Sequence, residues 1–402
     1  MKKIGIGVIG CGAMGMAIVR RILALSAELE VTGLYDPDER SIKSALAELP
    51  GCPTVHSSYE ALLQDPTVSW VMIASWNCHH REHTVAAFRA GKHVFCQKPL
   101  AIKLEECLEM HRAWRESGRL FNIGFTLRYS PHYRKIHQLI SEGAIGELVS
   151  MEFNETLDFN HGGYIMGDWR RLQENAGTHL LEKCCHDIDL ANWMIGSRAR
   201  WVASFGGLNF FKPGNARHIE RLGNSPEGKP AYRTWAGLVA LNPFESDKDI
   251  IDNQVAIIEY ANGVRASFHT NCNSAIPERR MYIHGTEGTL LADVIKGSIL
   301  LRRIGFDSQL EDHSTDANGG HGEGDSHLAR ELVESMLHGI LPSSGMKEGL
   351  ESSVTCFAID AAMEQRCVVD TSPYWVQVEQ PGRPFVPGVP PLPTIVPLPI
   401  DA

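Results

Sequence analysis

The chain has 402 residues, 43% of them hydrophobic and 21% charged, with a formal net charge of -10. That length exceeds one ordinary hydrophobic core, so two domains are the default, and the excess negative charge argues against nucleic acid or an anionic membrane surface as a partner. No apolar run reaches the length of a membrane span, and ten cysteines without a C-x-x-C pair read as reduced thiols rather than a disulfide framework.

Met1-Lys2-Lys3, a short apolar stretch and Cys11 imitate a lipoprotein signal. The stretch is too short and too rich in glycine for that role, so the reading is an intact, cytoplasmic N-terminus. The same residues make better sense as a strand, Ile4 to Ile9, running into Gly10, Gly12 and Gly15. Gly10 permits a tight turn, Gly12 lets backbone approach a pyrophosphate, and Gly15 allows close helix packing. The helix that follows, through Ala17 to Arg21, would point free N–H groups at the phosphates, with Ala13 and Met14 beside the cofactor. A second apolar run, Val31 to Tyr35, ends on Asp36, placed to accept hydrogen bonds from a ribose and to repel a 2′-phosphate. Strand, glycine turn, helix, strand and acid together predict a dinucleotide site that favours NAD over NADP.

Strands and helices continue to alternate, as a parallel doubly wound sheet requires. The pattern predicts a short strand at Val55, a capped helix from Ser57 to Leu63, and a buried strand Trp70 to Ala74. A helix from His79 to Ala90 stops at Gly91, and a strand His93 to Cys96 delivers Gln97-Lys98-Pro99. Then come a helix Leu104 to Ser117, a strand Leu120 to Phe125 and a crossover helix opening at Ser130-Pro131. From Leu148 the pattern turns to strands: Val149–Phe153, Trp201–Leu208, Gln254–Tyr260, Val264–Thr270, Arg280–His284 and Leu290–Val294. Ala261-Asn262-Gly263 reads as a two-residue hairpin turn. An open, mostly antiparallel sheet results, with one face for a helical layer and the other for a partner subunit. Residues 309–325 read as a polar loop, and His327 to Leu341 and Met346 to Arg366 as helices. The predicted domains are residues 1–125, 126–380 (its late helix, about 346–366, packing back on the first domain) and a proline-rich extended tail, 381–402, lying against its own or a neighbouring subunit. The fold class is α/β, a doubly wound domain followed by an α+β domain.

Lys98 arrives at the C-terminal end of a parallel strand, where open α/β sheets bind ligands, and could steady an oxyanion. Farther on, Glu182 and His186 stand four apart, a spacing that places them on one helix face. A carboxylate there would orient an imidazole acting as general base. His79 and His83 lack a third ligand at workable spacing, so no metal is expected. The vicinal Cys184-Cys185 reads as core packing.

Four stretches resemble the glucose-fructose oxidoreductase, inositol 2-dehydrogenase and rhizopine-catabolism (Gfo/Idh/MocA) family. They are the glycine turn with Asp36; Ser75-Trp76-Asn77-Cys78-His79-His80, similar to its Thr-Pro-Asn-x-x-His loop; Cys96-Gln97-Lys98-Pro99, similar to its Glu-Lys-Pro motif; and Gly177 to Asp189, similar to its Gly-rich Asp-x-x-x-His helix. The resemblance runs from Lys3 to about Arg366. It implies a Rossmann domain and NAD(P)-dependent hydride transfer at a sugar or cyclitol hydroxyl, with Lys98 and His186 catalytic and Ser75, Trp76, Asn77, His80 and Gln97 beside the cofactor. Three departures stand out: Trp76 for proline, Gln97 for glutamate and Glu182 for aspartate. Arg128, Tyr129, His161, Tyr164, Trp169, Arg170 and His179 fall in matching regions as substrate-side candidates. Arg170 could anchor hydroxyls or an anionic substituent, or make a structural salt bridge. His321 and Asp325 could close over the site. Their loop also resembles that of relatives that hydrolyse glycosides through bound NAD, which is the alternative activity. A sensor that binds NAD without catalysis is a third reading, against which the retention of Lys98 and His186 argues. The expected assembly is a homodimer or homotetramer through the C-terminal sheet.

Overall fold

The computed structural model describes residues 3–233, 241–317 and 319–379. The expected proline-rich tail lies outside the described residues. Six parallel strands form the first sheet: β1 (Ile4–Ile9), β2 (Leu29–Tyr35), β3 (Thr54–Val55), β4 (Val68–Ile73), β5 (His93–Cys96) and β6 (Phe121–Ile123). Their order, β3-β2-β1-β4-β5-β6, reverses between β1 and β4. At that reversal the following connections leave on opposite faces and open a crevice at the carboxyl ends of the strands. The strands read as near-continuous apolar runs because helices cover both faces. Ile6, Val8, Val71 and Ile73 are fully buried.

The second sheet has nine strands: β7 (Leu148–Asp158), β8 (Ala199–Gly207), β9 (Asn253–Tyr260), β10 (Arg265–Ser274), β11 (Arg280–Gly285), β12 (Gly288–Asp293), β13 (Ser298–Arg303), β14 (Leu310–Asp312) and β15 (Val369–Asp370), ordered β14-β13-β12-β11-β7-β10-β9-β8-β15. It is antiparallel except where β10 runs parallel to β7. Helices Cys185–Ile195 and Met346–Gln365 cover one face. The second of these also reaches helix Leu104–Ser117 and β6 of the first domain, while helix Gly324–His338 packs on the first-domain helix Ala13–Leu25.

Several expectations need correction. The β9–β10 hairpin has a three-residue loop, because Tyr260 and Val264 are already paired (N–O 2.8 Å) and Gly263 takes a φ of +86°. That is the longer, bulge-type hairpin rather than the two-residue turn. β14 occupies the start of the stretch read as a polar loop. β13 has a legible period of two, with Ile299 and Leu301 inward. The short helix Phe159–Gly167, capped by Asp158, hides behind a composition poor in helix formers.

Candidate active site

The glycine turn meets its steric demands. Gly10 has a φ of +91°, and a Cβ there would lie 2.5 Å from the carbonyl carbon of Ala74. A Cβ on Gly15 would lie 2.6 Å from that of Ala74. Gly12 differs: nothing lies within 4 Å of where its Cβ would be, and it precedes helix Ala13–Leu25 without any side-chain cap. That helix start is therefore an open cradle of backbone donors, suited to a pyrophosphate. Asp36 accepts from the backbone N–H of Cys11 (2.7 Å) and of Asp38 (2.8 Å), which anchors its carboxylate beside the turn with lone pairs to spare for ribose hydroxyls.

From this cradle one cleft of about 1060 Å³ runs between the two sheets, past Gly12, Ala13 and Met14 to Ser75, Trp76, Asn77, Gln97, Lys98 and His186. Tyr164, Trp169, Arg170, Glu182 and His321 line it too. The two domains touch across it. Asn77 donates to the carbonyl of Ala176 (2.8 Å), and Trp76 stacks on Trp169 with ring centres 5.0 Å apart and planes within 6°. The Arg170 guanidinium lies 4.3 Å from the centre of the Trp169 ring.

Glu182 does not orient His186. Its Oε1 accepts from Lys98 Nζ (3.1 Å) and from Arg170 Nε (3.2 Å), and Lys98 also donates to the Glu182 backbone carbonyl. The cause is local geometry. Leu180–Cys184 form a π-helical turn, and the α-helix begins only at Cys185. The wider turn breaks the four-residue spacing that would align the two side chains. Burial would raise the Glu182 carboxyl, but Lys98, Arg170 and Lys183 hold it well below the usual range.

His186 is 4% exposed and packs edge-on against Phe125, with its ring centre 6.0 Å from that of His321. Burial, then the charges of Lys98 and Arg279, push its pKa well below the ordinary value. The ring is thus neutral. Its Nδ1 is sealed without a hydrogen-bond partner, leaving Nε2 as the nitrogen that can meet a ligand. His321 Nδ1 pairs with Asp325 Oδ2 at 3.0 Å, and its loop is pinned by Ser130, whose hydroxyl donates to the Gly322 carbonyl at 2.6 Å.

Four expected site residues fall elsewhere. Arg128 forms a buried bidentate pair with Asp189 (2.6 and 2.9 Å) under Trp193. His179 is buried against Thr270 and Cys272. His80 is fully buried between the carbonyls of Pro99 (2.8 Å) and Ser75 (3.1 Å), bracing the Lys98 segment from behind the cleft. Tyr129 is buried with its hydroxyl on Glu331. Arg279 has no signal in the sequence, yet it grips Asp187 with two bonds of 2.7 Å and Glu155 with one of 3.2 Å. Glu155 does carry a usable signal: on β7 it follows Met151 and Phe153 at the inward positions, where a charge is out of place. Glu155, Cys184 and Asp187 also come close enough to hold a metal ion. Arg279 already supplies the cation to both carboxylates, and burial keeps the Cys184 thiol protonated.

A doubly wound sheet with a bare glycine-capped helix start at its switch point defines a dinucleotide-binding protein, and the second domain closes a polar chamber over it. The oxidoreductase family model for the NAD-binding Rossmann fold matches residues 4–125, and the model for the Gfo/Idh/MocA C-terminal domain matches residues 133–291. The chain belongs to the Gfo/Idh/MocA family, and its first domain is an NAD-binding Rossmann domain. It is 26% identical to an inositol 2-dehydrogenase/D-chiro-inositol 3-dehydrogenase of Lactiplantibacillus plantarum, over 54% of this chain and 57% of that one. It is 30% identical to a 2,7-anhydro-N-acetylneuraminate hydratase of Escherichia coli, over 58% of this chain and 61% of that one. The chain thus spans little more than half the length of these relatives. Levoglucosan dehydrogenase in complex with NADH and levoglucosan shares the fold, with a TM-score of 0.76 and 21% identity over 92% of this chain and 100% of that one.

Proposed function

We propose that this protein is an NAD-dependent oxidoreductase that moves a hydride between a secondary hydroxyl carbon of a sugar or cyclitol and the nicotinamide. The observation that carries it is that Lys98, from the nucleotide domain, and His186, from the second domain, line one cleft that begins at the Gly12 cradle. NAD, when bound there, supplies the hydride acceptor; Gly12, Ala13 and Met14 would hold its pyrophosphate, Asp36 its ribose, and Ser75 to Asn77 and Gln97 its nicotinamide end. Lys98 Nζ, steered by Glu182, donates a hydrogen bond to the substrate oxygen and stabilises negative charge as it develops. The neutral His186 takes the hydroxyl proton on Nε2. Tyr164, Trp169 and His321 complete the substrate wall.

Lys98→Ala is expected to lower kcat by about 100-fold or more while the Kd for NADH changes little, as followed by NADH formation over a panel of sugars and cyclitols and by NADH fluorescence titration. Turnover equal to wild type would overturn the assignment. The His321–Asp325 pair favours a second reading, glycoside hydrolysis through transient oxidation, because it places a second imidazole, this one held by a carboxylate, in the same chamber as His186. Aglycone release without net NADH accumulation would select that reading.

The ten cysteines are all unpaired, which supports a reducing, cytoplasmic setting, and no described helix is long and apolar enough to cross a membrane. We assign the domains to residues 1–125 and 126–380, and the open face of the nine-stranded sheet to a second copy of the chain.

A further inference from the structure

The catalytic end of the cleft is rich in charge, yet the charge closes on itself. Lys98 pairs with Glu182 at 3.1 Å, and Arg170 with Glu182 at 3.2 Å and Asp168 at 2.9 Å. Lys183 pairs with Glu155 at 3.4 Å, and Arg279 with Glu155 at 3.2 Å and Asp187 at 2.7 Å. Four cations thus meet four carboxylates. Two further carboxylates, Asp158 and Glu278, line the same chamber, with Glu278 3.6 Å from Arg280. The histidines add no free positive charge. His161, desolvated and facing Lys183, is pushed down to about 3, His186 is held neutral, and His321 sits on Asp325. Among the described residues lining the cleft, every Lys and Arg has a carboxylate within ion-pair distance; at the nucleotide end this is Arg40 on Asp38 at 3.0 Å. Arg170 is further fixed by Tyr164, whose hydroxyl it meets at 2.9 Å, and by the Trp169 face.

From this closure we infer that the substrate is an uncharged polyol or sugar, and that the site discriminates against carboxylated or phosphorylated analogues. An incoming carboxylate would lose its hydration without finding an unshared cation, and it would lie near carboxylates that already compete for each guanidinium. Neutral hydroxyls suit the same groups, since paired carboxylates still accept and paired guanidinia still donate. Arg170 is thereby a positioning residue for Glu182 and not an anion anchor. The inference rests on the polyol reading and sharpens it.

The test compares matched pairs on the NAD-loaded protein: D-glucose with D-glucuronate, D-galactose with D-galacturonate, and myo-inositol with its monophosphate. The neutral member of each productive pair is expected to have a kcat/KM at least about 100-fold higher. Equal or better turnover of the charged member overturns the inference. If no probe is oxidised, the polyol reading fails, and binding of the same probes to the NADH complex decides the present point. Preferential binding of the neutral members supports it; preferential binding of the acids, or of neither, overturns it. Glu155→Gln takes a partner from both Lys183 and Arg279, and Asp168→Asn takes one from Arg170. Either variant should shift the acid-to-neutral ratio toward the acid by about 10-fold, a ratio that general damage to the fold does not move. An unchanged ratio in both folded variants overturns the electrostatic explanation.

Discussion

His186 is the proposed proton acceptor, and burial and two neighbouring cations keep its ring uncharged. A base whose pKa is depressed stays deprotonated to lower pH, so the acid limb of the kcat/KM profile is expected well below 6.5, where an ordinary histidine would titrate. An acid limb at or above 6.5 would contradict this assignment of the base. Glu182 makes a different contribution from the one its spacing suggests. Because it bonds Lys98 and Arg170, Glu182→Gln should impair the steering of Lys98 and lower kcat more than it raises KM. The residues legible in the sequence are those set by local backbone demands, such as Gly10 and Gly15. Arg128 and His179 were misplaced because polarity in a sequence says nothing about which way a side chain is buried, and both are satisfied internally by partners distant in the chain.

Among the elements, the helix start at Gly12 offers the sharpest test of nucleotide binding. Its backbone is unstrained at φ -68° and its Cβ position faces open space. Gly12→Val should therefore fold with an unchanged Tm, yet its side chain would occupy the approach of the pyrophosphate. A rise of at least about 10-fold in the NADH Kd is the expected outcome, and unaltered affinity would move the nucleotide elsewhere. The alternating first domain could be read strand by strand because each parallel strand is a compact apolar run bounded by turn residues. Reading failed where pattern and geometry part company. The π-turn at Leu180–Cys184 has no local sequence signature, and the strand β14 lies in a stretch whose Gly, His and Asp content mimics a loop.

For the molecule as a whole, the open sheet face carries Phe205, Val255 and Ile257 at 72, 49 and 61% exposure. Phe205 pairs with Val255 and Ala203 with Ile257 across β8 and β9, so these side chains share one face. Replacing Ile257 and Phe205 with Lys should yield monomers by light scattering, whereas a wild-type protein that is itself monomeric would remove this assembly. Acid stability depends on buried histidines. Desolvation holds His80 and His132 down at about 4, and His83 and His161 at about 3. Between 6.5 and 4 the unfolded chain binds protons that the fold refuses, so stability falls as pH falls, by about 1.4 kcal/mol per pH unit for each such group. Asp360 and Asp187, raised by burial to about 7, and Asp189, raised to about 6, work in the opposite sense and offset part of this loss. Denaturant melts at pH 7 and 4.5 should show the loss, and His132→Phe should flatten it.

The wide turn ahead of Cys185 has one more implication. It is wound with one more residue than an ordinary turn and directly precedes the α-helix that starts at Cys185, so it sets the rotational phase of that helix. Removing one residue there would rotate the stretch from Cys185 onward by about 100° relative to Thr178. The imidazole would leave the chamber, and Asp187 would be pulled from Arg279. That Lys98 and His186 line one chamber thus depends on the length of a single turn, a feature that no comparison of side-chain chemistry alone would register.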